Sequence, residues 1–425
     1  MTASPCGFVA GSYYFSKRRQ LLLDAIFNSL IINEVNRTMK STVHISNYQI
    51  FCLLVMHSLG SSTIFALGIR AKQDAWLVVL SGLVLGFGII WLHTELQKHY
   101  PENNLAEINT AVLGKFLGSI VTLSFAGYFI WVSTLNFSEF AELIGITILP
   151  DTPVWAIQGA FILLIIYLTF NGIEVLARMS EFLMPIVMLS LILMYGLIVI
   201  SGNVHLQELQ PILANGIKPV LAEVYPSFST FPYGEDVVFL MFYCYANNNK
   251  LIRKYAFSAI FMLGASLVAS TILIITVLGV PFTAATTIPL IEVVKMINIG
   301  NIITNIDAIA VIVIFVGGLF KAMLFFYGSV LALTTLLKFK RKRVIIAMAT
   351  FLIWINLTAI PNFVFHRFIG ISFGNSYIHE LYTIYLPLML LVITWLKAFN
   401  NKLKSTGDGQ KTRSCTTTDY CQEGE

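Results

Sequence analysis

The chain has 425 residues, of which 57% are hydrophobic and 12% charged, and its mean hydropathy is +0.78. These values exclude a soluble protein of this length and indicate one that crosses a membrane many times. The net charge of +5 does not require a nucleic-acid partner, because the loops of membrane proteins are rich in Lys and Arg. We expect no enzyme activity, cofactor or metal, since the chain lacks a P-loop, an HExxH motif, a nucleophile elbow and any CxxC pair.

The first 43 residues differ in composition from the rest of the chain. Basic residues precede a short apolar run that is interrupted by Asp24 and Asn28 and is too short to span a bilayer. No small-residue cleavage site follows it, which disfavours a signal peptide. We expect residues 1–43 to be an N-terminal extension, of which residues 1–38 are either dispensable or the product of an upstream start, with Met39 as the alternative start.

Apolar stretches of about 20 residues, long enough to cross about 30 Å of hydrocarbon, recur through residues 44–400. They predict an all-α integral membrane domain with ten spans. The spans are expected at 47–69, 75–97, 117–141, 154–172, 180–201, 217–245, 255–280, 307–336, 344–365 and 377–399. Residues 286–305 are less apolar and predict an external loop with a short interfacial helix. The polar residues 401–425 predict a disordered cytoplasmic tail.

The loop charges predict the orientation of the chain in the membrane. With both termini in the cytoplasm, and with Lys218 and Lys397 at span ends counted with the adjacent loops, the cytoplasmic segments hold 21 of the 27 Lys and Arg residues and the external loops hold five. Short cytoplasmic loops are enriched in Lys and Arg in this way. An even number of spans with both ends inside follows from this distribution.

The sixth span is interrupted at its centre by the run from Tyr225 to Asp236, which holds two prolines, a glycine and two carboxylates. A broken helix at membrane depth is tolerated only where it lines a cavity or a site. Asp236 either caps the second half-helix or has a functional role. For Glu235, a ligand or gating contact and structural bracing of the break are both open.

The first span has a weak centre of small and hydroxyl-bearing residues between His57 and Gly68. Such residues alone favour close helix packing, and His57 is more often a core histidine than a ligand contact. Interrupted helices in corresponding positions of two halves, however, indicate an inverted-repeat transporter fold with a site between them. Free N–H groups and unwound carbonyls at such a site suit an amino acid zwitterion.

Six short motifs stand at the ends or breaks of these spans. In chain order they are Ile45-Ser-Asn-Tyr-Gln49, Leu149-Pro-Asp-Thr-Pro153, Asn171-Gly-Ile-Glu-Val-Leu-Ala-Arg178, Thr230-Phe-Pro-Tyr-Gly-Glu235, Val277-Leu-Gly279 and Ile306-Asp307. With these motifs at matching positions, residues 44–400 resemble the B-subunit membrane proteins of bacterial spore germinant receptors. These proteins, also called spore germination permeases, belong to the amino acid, polyamine and organocation transporter superfamily.

The resemblance implies a five-plus-five inverted repeat with broken helices 1 and 6, and a role in sensing a nutrient in the inner membrane of a dormant spore. The implied partners are an A-type membrane subunit, a C-type lipoprotein and the small nutrient ligand, within the membrane lipid. By analogy, the ligand carboxylate would be held by Gly60, Ser61, Ser62 and Thr63. The residues Phe231, Pro232, Tyr233 and Gly234 would supply backbone carbonyls and the walls of the ligand site, and Glu235 would lie beside them.

Lys321 lies about 20 Å of helix from either end of the eighth span, so its side chain requires an internal partner. In sodium-coupled relatives of this fold the eighth helix helps to form a cation site, and Lys321 is a candidate substitute for that cation. The alternative is a buried ion pair with Glu139, Glu142 or Glu235.

Three classes of function follow from these features. The first is a germinant sensor that binds an amino acid, a sugar or a nucleoside without net transport. The second is a proton-coupled amino acid permease with the same site. The third is a structural or channel-forming protein without a small ligand.

Overall fold

The computed structural model describes residues 43–63, 65–225, 227–297, 307–358 and 378–414. The chain divides into a short N-terminal unit, Met1–Ile45, and a main unit, Ser46–Glu425. Apart from residue 43, the extension expected over residues 1–43 lies outside the described residues, as does its alternative start Met39. All the helices of the described residues therefore belong to the main unit.

The described part of the main unit is helical. The α-helices are α1 (Asn47–Ser62), α2 (Ala75–His99), α3 (Leu105–Thr147), α4 (Val154–Asn171), α5 (Ile173–Ile200), α6 (Lys218–Val224), α7 (Ser227–Thr230), α8 (Ile252–Ala285), α9 (Pro289–Lys295), α10 (Asp307–Leu337), α11 (Arg341–Thr358), α12 (Ile378–Glu380) and α13 (Leu386–Ser414). Shorter 3₁₀ turns cover Ile69–Asp74, Leu206–Leu209, Gly234–Met241 and Tyr243–Tyr245. A π-helical turn, Leu381–Tyr385, joins α12 to α13, and we call this continuous run the last helical segment.

Among the described residues, seven helices are long and apolar enough to cross a membrane. They are Ile69–His99, Leu105–Thr147, Val154–Asn171, Ile173–Ile200, Ile252–Ala285, Val313–Leu337 and Ile378–Asn400. The other three predicted spans coincide with the 16-residue α1, with the broken segment from α6 to Tyr245, and with α11, which is described as far as Thr358. The protein is thus an integral membrane protein.

Local sequence explains where several helices begin and bend. α1 begins at a capping box in which the Ser46 side chain accepts a hydrogen bond from the backbone N–H of Gln49 (3.1 Å), while the Gln49 side chain accepts from the backbone N–H of Ser46 (3.0 Å). α3 and α8 contain a residue with positive φ, at Gly114 (81°) and Gly279 (70°), where the helix kinks. Glycine adopts this conformation without the steric cost that other residues meet.

The central helix of the unit is α10, which packs against α3 and α1. Of the stretches that could cross the membrane, Val313–Leu337 within α10 is the most buried: 89% of its apolar 18-residue window is buried, against 28% for the window in Ile173–Ile200. The contact with α3 is close, because a Cβ added at Gly318 would come within 2.3 Å of the Phe140 ring. α10 therefore places the residues of its inner face, including Lys321, in the interior of the protein.

Two predicted boundaries differ from the structure. The first span was expected to reach residue 69, but α1 ends at Ser62, and the chain turns through Gly68 with φ 76° before Ile69. The tail was expected to be disordered from residue 401, but α13 continues as far as Ser414. Disorder stays a prediction for residues 415–425. The short helix expected in residues 286–305 is α9.

Candidate functional site

The sixth predicted span is interrupted at the place that its prolines and glycine indicate. α6 ends at Val224, the four-residue α7 follows, and the chain continues as the 3₁₀ helix from Gly234. We call residues 225–233 the sixth break and residues 63–68, between α1 and Ile69, the first break. The two breaks meet, since the ring centres of Phe65 and Phe231 are 6.3 Å apart.

Small residues of α2 let the sixth break approach closely. A Cβ at Gly82 would come within 2.3 Å of the Phe228 ring, and one at Gly86 within 2.7 Å of the Tyr233 ring. The two glycines have the small-xxx-small spacing that permits close contact between membrane segments. Both aromatic side chains are 1% exposed, so α2 fixes the position of the break from one side.

The charged pair at the end of the sixth break is buried. Glu235 is 6% exposed and forms an ion pair with Lys321 of α10, which is 1% exposed. The Lys321 Nζ also lies over the Phe231 ring, 4.4 Å from its centre. Of the three acids considered for Lys321, Glu235 therefore forms an ion pair with it. A buried charge needs such a partner, because the cost of removing it from water is several kcal/mol.

Asp236 connects the broken segment to α1. Its Oδ1 accepts a hydrogen bond from the Ser58 hydroxyl at 2.9 Å, and the His57 Nε2 lies 4.0 Å from the same oxygen. His57 and Asp236 are both 0% exposed, and the imidazole packs against the rings of Phe239 and Phe325. The carboxylate of Asp236 thus binds a side chain of a different helix.

The predicted carboxylate cradle in the first span lies at the end of α1. The Ser62 hydroxyl donates to the backbone carbonyl of Ser58 (2.5 Å), and the Thr63 hydroxyl donates to that of Leu59 (3.1 Å). Gly60 and Ser61 lie in the last turn of the same helix. Contact between a ligand and these four residues stays a prediction, as it does for Phe231, Pro232, Tyr233, Gly234 and Glu235.

Sequence reasoning missed a third acid beside the sixth break, in addition to Glu235 and Asp236. Glu380, in the last helical segment, is 4% exposed and accepts hydrogen bonds from Tyr225 (3.1 Å) and Ser229 (3.2 Å), which lie in the sixth break. An available signal was its position inside the predicted tenth span, since an acid in a membrane segment is a functional candidate by default. Ser58 was likewise treated only as a small residue, although it is the partner of Asp236.

A family profile described as "Spore germination protein" matches residues 44–363. This chain belongs to the spore germination protein family. Spore germination protein KB of Bacillus subtilis (strain 168) is 29% identical over 362 residues, which are 85% of this chain and 97% of that protein. The putative spore germination protein YfkT of the same organism is 31% identical over 241 residues, 56% of this chain and 64% of that protein. The resemblance that the six motifs indicate is confirmed.

Solved structures show which fold this spore germination protein has. MhsT in complex with L-phenylalanine matches with a TM-score of 0.56 and 14% identity, over 80% of this chain and 87% of that one. Mhp1, a nucleobase-cation-symport-1 family transporter in a closed conformation with bromovinylhydantoin bound, matches with a TM-score of 0.52 and 14% identity, over 76% and 74%. At such identities the matches show the fold alone. Family and fold are those of a receptor or transporter rather than of an enzyme.

Proposed function

We propose that the chain is the membrane subunit of a spore germinant receptor that binds a small nutrient germinant, an amino acid, and triggers germination. Family membership supports the role in the spore. The observation that carries the ligand site is the buried ion pair of Glu235 and Lys321 beside an interrupted membrane segment. Charges at membrane depth are costly and mark binding sites and ion pathways in membrane proteins.

The proposed ligand site lies between the two breaks. A zwitterion there could meet the free N–H groups and carbonyls of the interrupted backbone, together with the Glu235 and Lys321 side chains. The contact between Phe65 and Phe231 supports this placement, because it joins the two breaks. The residues proposed to contact the ligand are Gly60, Ser61, Ser62, Thr63, Phe231, Pro232, Tyr233, Gly234 and Glu235.

We also propose ten spans in a five-plus-five inverted repeat with both termini in the cytoplasm, on the spore core side of the inner membrane. Seven apolar helices and three further helical segments at the predicted positions support this count. The concentration of Lys and Arg in alternate loops supports the orientation. The proposed partners are an A-type membrane subunit and a C-type lipoprotein.

In the proposed mechanism, the ligand stabilises one of two pre-existing arrangements of the broken helices, and a partner subunit responds to that arrangement. A ligand shifts such an equilibrium only by its difference in affinity for the two states. A shift from 1:99 to 99:1 requires about 5.5 kcal/mol. Several receptors or partner coupling would therefore amplify the signal of a weakly bound nutrient.

The test is deletion of the gene in the native host, followed by germination of purified spores with a panel of amino acids, sugars and nucleosides. We expect selective loss of one response, restored by the wild-type gene and by the control variant Glu292→Gln. The partly exposed Glu292 carboxylate pairs with Lys295 at 2.9 Å, away from the proposed site. Glu235→Gln, at equal protein abundance, is expected not to restore it. Unchanged germination by the deletion strain across the panel would contradict the receptor role.

A second function is a proton-coupled amino acid permease with the same site. The buried His57 and Asp236, 4.0 Å apart, favour it, because paired titratable groups inside a membrane form proton relays. Accumulation of a labelled amino acid in proteoliposomes under a proton gradient would support the permease, whereas saturable binding without uptake would support the sensor. Sodium-independent binding is expected if Lys321 occupies the place of a coupling cation.

A further inference from the structure

Glu380 is a buried carboxylate to which the proposed ligand site assigns no role. It ends α12 at the start of the last helical segment, and three hydroxyl groups donate hydrogen bonds to it. Its Oε2 accepts from Tyr225 (3.1 Å) and Tyr385 (3.4 Å), and its Oε1 accepts from Ser229 (3.2 Å). The two tyrosine hydroxyls are themselves 3.1 Å apart. We call these four residues the Glu380 cluster.

The cluster joins two parts of the chain that no backbone element connects directly. Tyr225 and Ser229 belong to the sixth break, whereas Glu380 directly precedes the π-helical turn of the last helical segment and Tyr385 is its last residue. π-helical turns are rare and occur frequently at functional sites. The hydrogen bonds of the cluster therefore hold the interrupted segment against the last helical segment.

The cluster also extends from the protein surface to the proposed ligand site. Tyr225 and Tyr385 are 51% and 49% exposed, whereas Glu380 is 4% and Ser229 0% exposed. Beneath them, the buried Thr383 packs on Gly234, where an added Cβ would lie 3.0 Å from the Thr383 Cβ. Gly234 directly precedes Glu235 of the ion pair. The Glu380 cluster and the contact between Thr383 and Gly234 therefore form a continuous path of contacts from the protein surface to the proposed site.

We propose that the Glu380 cluster is the outer gate of the ligand site. Its hydrogen bonds close the passage between the sixth break and the last helical segment, and they break when a ligand enters or leaves. The gate faces the external side, because in the orientation set by the loop charges both the sixth and the tenth span begin there. The inference rests on the proposed function for the location of the ligand site.

The test measures access to Thr383, which lies just inside the proposed gate. Thr383→Cys is expressed in the full chain, and right-side-out membrane vesicles are treated with a positively charged, membrane-impermeant methanethiosulfonate reagent. The chain without the substitution gives the background from its own five cysteines. We expect slow labelling with the intact gate and labelling about tenfold faster in Tyr225→Phe/Tyr385→Phe, which loses the tyrosine hydrogen bonds but keeps both rings.

Two further variants make the result specific. Tyr195→Phe removes another interhelical hydrogen bond, from the Tyr195 hydroxyl to the Ser266 carbonyl at 3.4 Å, and it should leave the labelling rate unchanged. Glu380→Gln weakens the cluster at constant side-chain volume, so it should also accelerate labelling, and it serves if the double variant does not accumulate. Three results would each overturn the proposal. The first is an equal labelling rate of Thr383→Cys with and without the gate substitutions, and the second is equal acceleration by Tyr195→Phe. The third is labelling only in inside-out vesicles.

The labelling rate depends on neither a germinant nor a partner subunit. Failure of the gate would therefore leave the germination phenotype of the deletion strain and its test of the proposed function unaffected. Failure of the receptor role, in turn, would appear as unchanged germination and would not alter the labelling rates.

Discussion

The first and the sixth break interrupt two membrane segments in different ways. At the end of α1, the Ser62 and Thr63 hydroxyls donate to carbonyls of their own helix, and the chain then turns through Gly68. Directly after the sixth break, Glu235 and Asp236 bind side chains of other helices. The first break is therefore stabilised by local bonds and by a hydrogen bond from α8, which the Ser270 hydroxyl donates to the Thr63 carbonyl (3.2 Å). The segment at the sixth break is stabilised by side chains of several other helices.

This difference bears on how a ligand acts. Removing a local hydrogen bond changes one turn, whereas moving α1, α10 or the last helical segment changes the partners of the sixth break. A ligand that shifts any of these helices would therefore alter the geometry of residues 225–236. The sixth break is accordingly the element through which we expect a bound ligand to be communicated.

The largest expected effect is that of Lys321→Met, which leaves the buried Glu235 carboxylate without its ion pair. Breaking a buried pair on one side costs about 3–5 kcal/mol. We expect a much lower temperature of thermal unfolding in detergent and less protein in the membrane. Replacing both partners, in Lys321→Met/Glu235→Met, should recover most of this stability, since two apolar side chains of similar volume replace the pair.

A matched control is Lys295→Met. Lys295 pairs with Glu292 at 2.9 Å, but its side chain is 50% exposed, so its loss should cost about 0–1 kcal/mol. Equal destabilisation by Lys321→Met and Lys295→Met would show that the sixth break does not depend on its ion pair. Failure of the double variant to recover would show that other contacts of Lys321 dominate.

A smaller effect is expected from a comparison of two serines of α1, Ser58, which contacts Asp236, and Ser62, which lies at the first break. Ser58→Ala removes the hydrogen bond to Asp236, and bonds to charged groups contribute about 1.5–3 kcal/mol. Ser62→Ala removes a bond to the i−4 carbonyl of α1, and because bonds of this kind do not stabilise a helix, it should lower the free energy of unfolding by less than Ser58→Ala does. Thermal unfolding of both variants, prepared in parallel, checks the difference. A larger loss for Ser62→Ala would reverse our comparison of the breaks.

The sequence predicted the interruption of the sixth span because proline and glycine act on the backbone where they stand. Pro232 lies in the sixth break and Gly234 begins the 3₁₀ helix that follows it, and seven of the ten predicted spans coincide with described helices long and apolar enough to cross a membrane. The need of Lys321 for a buried partner was also predictable, since an unpaired charge deep in a membrane span is costly whatever helices surround it. Such features are local properties of the chain.

Partners across the fold were not predictable in the same way. The sequence left three acids open for Lys321, and it gave no reason to pair Ser58 with Asp236, 178 residues away. Glu380 was missed because its donors, Tyr225 and Ser229, come from a segment more than 150 residues earlier. These pairings depend on helix packing, which a single sequence does not specify.

The smallest expected effect tests the contact of the sixth break with α2. A Cβ at Gly86 would lie 2.7 Å from the buried Tyr233 ring, so Gly86→Ala must displace that ring, and overpacking of this kind costs about 1–3 kcal/mol. Gly88→Ala on the same helix is the control, because nothing lies within 4 Å of its Cβ. We expect a lower unfolding temperature for Gly86→Ala alone. Since Tyr233 directly precedes Gly234 and Glu235, Gly86→Ala should also weaken the germination response at equal protein abundance. A normal response would show that the contact of the sixth break with α2 is not needed for function.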